Sequence, residues 1–216
     1  MTKDFEQTQF IAAEFGTSAQ LLQQMASDSV EQVAAAAEIL INCLLDGRKI
    51  LIFGNGGSAA DAQHFATELA GRYRLERRAL PALALTTDTS MLTAIGNDYG
   101  FTQVFARQVE AHAQPGDAVI GISTSGRSAN VIAGLQTARV LGARTLALIG
   151  ANITGLAGVA DQVISVPSMD TPRIQEAHAI IIHILCDLVE KALAAPPKDP
   201  DSQSTYEDKL IPGATG

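Results

Sequence analysis

His64 and Glu68 stand four residues apart in LIFGNGGSAADAQHFATE, residues 51–68, so an imidazole and a carboxylate share one face if that segment is helical. Taken alone, such a pair is more often a solvated polar couple than a pair of metal ligands. A second imidazole, His183, is embedded in the apolar run AIIIHILCDLV, where a buried ring must find a partner such as a backbone carbonyl or a carboxylate. Together, two imidazoles and a carboxylate are donors enough for a catalytic zinc with an open position. Gln175 lies eight residues before His183, roughly 12 Å along a helix axis at 1.5 Å per residue. Both could touch one ion only by reaching toward each other or by coming from different subunits.

Beside the His64–Glu68 pair the sequence offers anion chemistry. The apolar run Ile50-Leu51-Ile52-Phe53 stops at Gly54-Asn55-Gly56-Gly57-Ser58, and helical spacing resumes at Ala59. A strand, a glycine turn and a helix start present backbone N–H groups to a phosphate, with Ser58 available as a cap. The turn has neither the GxGxxG spacing of dinucleotide sites nor the GK[ST] of nucleotide triphosphatases. A similar arrangement recurs at Ser123-Thr124-Ser125-Gly126-Arg127-Ser128, after Ala118–Ile122. Its hydroxyls suit a phosphate monoester held mainly by neutral donors, and they equally suit an ordinary helix cap.

These groups need a scaffold. Residues from about 5 to 46 show two apolar stripes broken at Ser27-Asp28-Ser29, which predicts two helices, the second ending at Gly47. Strands are expected at 49–53, 81–86, 118–122, 145–149 and 163–166, and helices from 59 to about 73, from Asp88-Thr89-Ser90 to Ile95, and over 101–111, 129–141 and 171–193. Gly96-Asn97-Asp98-Tyr99-Gly100 reads as a turn cluster. Alternating short apolar runs and helices indicate a parallel α/β sheet covered on both faces, whose ligands bind at the strands' carboxyl ends. The chain divides into a helical segment, 1–47, a sheet domain, 48–194, and a Pro/Asp/Ser-rich tail, 195–216, with a mobile composition.

At 216 residues with 47% hydrophobic content, one core suffices. A formal charge of −8 argues against nucleic acid or an anionic membrane as the main partner. Arg72, Arg74, Arg77 and Arg78 read as a solvated helix end. Cys43 and Cys186 lack CxxC partners and read as buried thiols in a reducing compartment, and no apolar run reaches membrane-spanning length, so a cytoplasmic location is expected.

The segments GNGGSAADAQHFATELAGRYR, AIGNDYGF, GISTSGRSANV and RIQEAHAIIIHILCDLVE together resemble the phosphoheptose isomerase family of sugar isomerase (SIS) domains, over nearly all of the chain but the tail. The resemblance implies a flavodoxin-like fold, a homotetramer and one zinc per subunit, and the conversion of D-sedoheptulose 7-phosphate to D-glycero-D-manno-heptose 7-phosphate. It places zinc ligands at His64, Glu68, Gln175 and His183, and an acid/base pair at Glu68 and His183. Substrate positions fall on Asn55, Gly56, Gly57, Asn97, Asp98, Ser123, Thr124, Ser125 and Ser128, with Glu68 and Gln175 also touching the sugar. A protein that associates with the bacterial replication initiator resembles the same template but lacks Glu and His at the positions of Glu68 and His183. A phosphosugar-sensing regulator without turnover would need only the serine turn.

Overall fold

A computed structural model describes residues 3–156 and 158–194; the tail expected at 195–216 lies outside the described residues. Strands β1 (Ile50–Gly54), β2 (Ala82–Ala84), β3 (Ala118–Ser123), β4 (Arg144–Ile149) and β5 (Gln162–Ser165) form one parallel sheet in the order β2-β1-β3-β4-β5. The register pairs Ile52 with Ile120 and Ile122 with Leu148. This order is that of the flavodoxin-like doubly wound fold. From β1 the chain winds outward to β2 on one side, and from β3 outward on the other, so a crevice opens beyond the carboxyl ends of β1 and β3. Both polar glycine turns of the sequence lead out of those two strands.

The helices are α1 (Lys3–Asp28), α2 (Val30–Leu45), α3 (Gly57–Ala70), α4 (Thr89–Tyr99), α5 (Ala106–His112), α6 (Ala129–Val140) and α7 (Thr171–Leu193). Alternate residues of β1 point into separate cores, Ile50 and Ile52 toward α2, α3 and α7, and Leu51 and Phe53 toward α5 and α6. Phe53 stacks on Phe105 with ring centroids 4.8 Å apart. Burial on both faces is why the strands read as unbroken apolar runs. Helices α3 and α7 pack side by side on one face of the sheet, and that contact carries the site.

Several expectations from the sequence need correction. Gly96, Asn97 and Asp98 belong to α4, which runs on to Tyr99; the cap at Asp88, whose side chain accepts from Met91 N at 2.9 Å, starts a helix long enough to absorb them. Helix α3 ends at Ala70, and residues 71–81 cross as irregular chain. Segment 81–86 yields only a three-residue strand with Leu83 44% exposed, because β2 is the edge of the sheet. The 101–111 helix is divided into a 3-10 turn, Phe101–Gln103, and α5. Ser58 is buried inside the first turn of α3, and Gly56, at φ +57°, occupies the cap position.

Candidate active site

The first turn of α3 follows directly from β1. Gly54 is tightly enclosed: a Cβ there would come within 2.7 Å of Ser58 O and 2.9 Å of Ile122 O. Gly57 is enclosed by one side chain, because an added Cβ would contact Gln175 Nε2 and lie 2.8 Å from its Cδ. Gln175 therefore rests across the start of α3, delivered there from the second turn of α7.

The two turns are joined by a reciprocal amide pair. Asn55 Nδ2 donates to Asn130 Oδ1 at 2.9 Å, and Asn130 Nδ2 donates back to Asn55 Oδ1 at 2.8 Å. Asn130 is buried and was not singled out from the sequence; an amide in the first turn of a helix, just after a serine cluster, was the available signal. In the second turn Ser123 Oγ lies 3.0 Å from Ser128 Oγ and 3.4 Å from Ser125 Oγ, and Arg127 N donates to Ser125 Oγ at 3.2 Å. Ser128 stands at the start of α6 without a side-chain cap bond, so its hydroxyl is not spent on the helix and is paired instead with Ser123. Gly126, at φ +63°, is held against Asn152 O, a position where no side chain fits. Asn97 and Asp98 form a side-chain pair, 2.7 Å, exposed at the end of α4, and no hydrogen bond among the described residues joins them to either turn.

The third cluster lies between α3 and α7. His64 Nε2 is 3.2 Å from Glu68 Oε1 and 3.2 Å from His183 Nε2, and the three ligand atoms all lie within 4.8 Å of one another. Two imidazole nitrogens and a carboxylate oxygen converging this way cannot all be satisfied by one shared proton. Ligands at about 2.0–2.1 Å in a tetrahedral set are themselves about 3.3 Å apart, so the two separations of 3.2 Å about His64 Nε2 suit a shared ion such as zinc. The side chains of His64 and Glu68 are 38% and 23% exposed, which leaves an open side for a further ligand. His183, half-buried, also stacks on Tyr73, with centroids 5.6 Å apart and planes at 24°.

The surroundings are tuned by burial. One turn before His64, burial raises the Asp61 carboxyl to about 6, partly offset by His64, and its Oδ2 is buried without a hydrogen-bond partner. Desolvation lowers His178 to about 4, so the ring is neutral at pH 7; its Nε2–H donates to Ile149 O at 3.3 Å. Cys186, beside the cluster on α7, is raised to about 12 by burial and by Glu68. Both cysteines are free and buried, as the sequence suggested. The arginine group behaves differently from its expected solvated role: Arg77 is buried against Glu190, Nε to Oε1 3.0 Å, with both side chains 3% exposed or less.

A five-stranded sheet of this order, with a hydroxyl-lined turn at its switch point, is the architecture of a SIS domain, and the family model described as "SIS domain" matches residues 15–150. The phosphoheptose isomerase of Geobacter sulfurreducens is 56% identical over 85% of this chain and 97% of its own length. Among solved structures, the phosphoheptose isomerase of Neisseria gonorrhoeae superposes with a TM-score of 0.80 at 45% identity, covering 85% of this chain and 98% of that one. The corresponding protein from Francisella tularensis gives 0.83 at 37% identity, covering 88% and 100%. The chain belongs to the phosphoheptose isomerase family of SIS-domain proteins, and it is an isomerase.

Proposed function

We propose that the chain interconverts D-sedoheptulose 7-phosphate and D-glycero-D-manno-heptose 7-phosphate, as a zinc-dependent homotetramer in the cytoplasm, supplying a precursor for nucleotide-activated heptose. The observation that carries this reading is the convergence of His64, Glu68 and His183 from two helices, at ligand-like separations, between α3 and α7. Residues 1–47 and 48–194 act as one SIS unit in this reading, α2 being packed on α7 and β5.

Ketose-to-aldose conversion moves a proton from C1 to C2 and must stabilise an enediolate on O1 and O2. Glu68 would take the C1 proton and return it to C2, while His183 carries a proton from O1 to O2, so that the substrate gains and loses none overall. Zinc held by His64, Glu68, His183 and Gln175 would act as a Lewis acid on those oxygens. Ser123, Thr124, Ser125 and Ser128, with the amides of α6, would hold the phosphoryl end, and Asn55, Gly56, Gly57, Asn97 and Asp98 would position the sugar chain. Remote phosphate binding then fixes the orientation of C1 and C2. Asn130 supports this scheme by locking the Asn55 amide between the two turns.

Subunit association is supported by an apolar groove of about 530 Å³ between α1, α2 and α7, and by exposed Val30 and Ile184 along it. No helix among the described residues is long and apolar enough to cross a membrane. The test is an isomerase assay on sedoheptulose 7-phosphate with metal analysis, before and after chelation. Turnover that disappears with the metal and returns with added Zn²⁺ is expected; full turnover by metal-free protein would overturn the zinc assignment, and no turnover in any state would overturn the substrate.

A further inference from the structure

We infer that Glu190 and Arg77 form a buried clamp that sets how the His64–Glu68 helix and the His183 helix face each other, and that Tyr73 transmits it to the His183 ring. The inference rests on the metal-site reading above. Glu190 stands seven residues after His183, two turns along the same face of α7, and is fully buried. Its carboxylate accepts the backbone N–H groups of Tyr73 at 3.0 Å, Arg74 at 2.7 Å and Leu75 at 2.7 Å, and pairs with Arg77. A carboxylate taken out of water persists only when so fully matched. Here every partner belongs to the single segment that leaves α3.

Arg77 reaches the other way. Its guanidinium donates to the carbonyls of Glu68 at 2.8 Å, Leu69 at 2.9 Å and Gly71 at 3.2 Å, which are acceptors that the end of α3 leaves without helical partners. One ion pair therefore ties α7, two turns beyond His183, to the helix turn that contains Glu68 itself. The segment held between them presents Tyr73, whose ring stacks on His183 while His64 meets the same imidazole edge-on, at 4.9 Å and 80°. Among the described residues the one hydrogen bond of His183 runs through Nε2 to His64. A ligating histidine is ordinarily oriented by a bond from its other nitrogen. For His183, stacking on Tyr73 takes that place, and Tyr73 is a positioning residue.

The experiment compares Glu190→Gln, Tyr73→Ala and Tyr73→Phe in the full chain. Zn²⁺ affinity is read by competition with a chromophoric chelator, and helical content by circular dichroism. Glu190→Gln and Tyr73→Ala are expected to weaken Zn²⁺ binding by about 10–100-fold with helical content retained, and Tyr73→Phe, which keeps the ring, to restore it. The metal-free protein supplies a second readout, since the chain has only four histidines whose ring nitrogens can be followed by NMR. Tyr73→Ala and Glu190→Gln should shift the His183 resonances and leave those of His112, on α5, in place. If the parent protein binds no Zn²⁺, the metal reading falls, while the imidazole spectra still decide the clamp. Should Glu190→Gln fail to fold, the half-buried Tyr73 pair decides it. Unaltered affinity together with unshifted His183 resonances in Tyr73→Ala overturns the proposal.

Discussion

Gly57→Ala should separate the requirements of folding from those of the site with a single carbon. Gly57 opens α3 with φ outside the left-handed region, so alanine suits its backbone and helix propensity favours it by up to about 1 kcal/mol. The obstacle is one side chain: the new methyl would lie 2.8 Å from Gln175 Cδ and 3.1 Å from its Oε1, and nearer still to Nε2. Restoring contacts of about 3.5 Å or more requires the amide to retreat by more than about 1 Å, most of all at Nε2. A flexible glutamine can do so without unfolding anything. A displacement of that size at a group that orients substrate or metal costs about 100-fold in rate, equivalent to about 2.7 kcal/mol. The expected result is a thermal midpoint at or slightly above that of the parent, with kcat/KM for sedoheptulose 7-phosphate down by about two decades. A double-mutant cycle tests the cause, because once Gln175→Ala has removed the amide, adding Gly57→Ala should cost little more. Parent-like kcat/KM in Gly57→Ala, or two losses that simply add, would refute the argument that Gly57 is glycine in order to admit Gln175.

Other perturbations probe different parts of the site. Glu68→Gln should lower kcat far more than it changes KM, with turnover followed by the coupled appearance of the aldose; near-normal turnover would remove Glu68 from the base role. Ser125→Ala should chiefly raise KM, and an unchanged KM would place the phosphate elsewhere. His178 should make the protein acid-labile. The folded ring protonates near 4 and the unfolded one near 6.5, so the unfolded chain binds the extra proton first and stability falls as pH drops from 6.5 toward 4, by on the order of 3 kcal/mol. Asp61, raised to about 6, acts in the opposite sense, favouring the fold as pH falls through 6. Denaturant titrations of the parent and His178→Gln across that range isolate the histidine; identical pH profiles would show that its burial carries no such cost.

The sequence by itself determined the α/β class, the position of nearly every strand and the two polar turns at strand ends, because apolar runs stopped by Gly and Ser are local signals. It also determined the His64–Glu68 pair, since residues four apart on a helix share a face whatever packs against them. Only the tertiary structure decided that His183 meets that pair, a matter of where two helices 119 residues apart come to lie on one face of the sheet. Side-chain reach decided the rest. Asn130 locks onto Asn55 across 75 residues, and Arg77, which local composition assigns to solvent, is drawn inward by a glutamate 113 positions later in the chain. Such pairings are set by the cost of burying an unmatched charge or amide, and that cost arises only once the helices have closed over it.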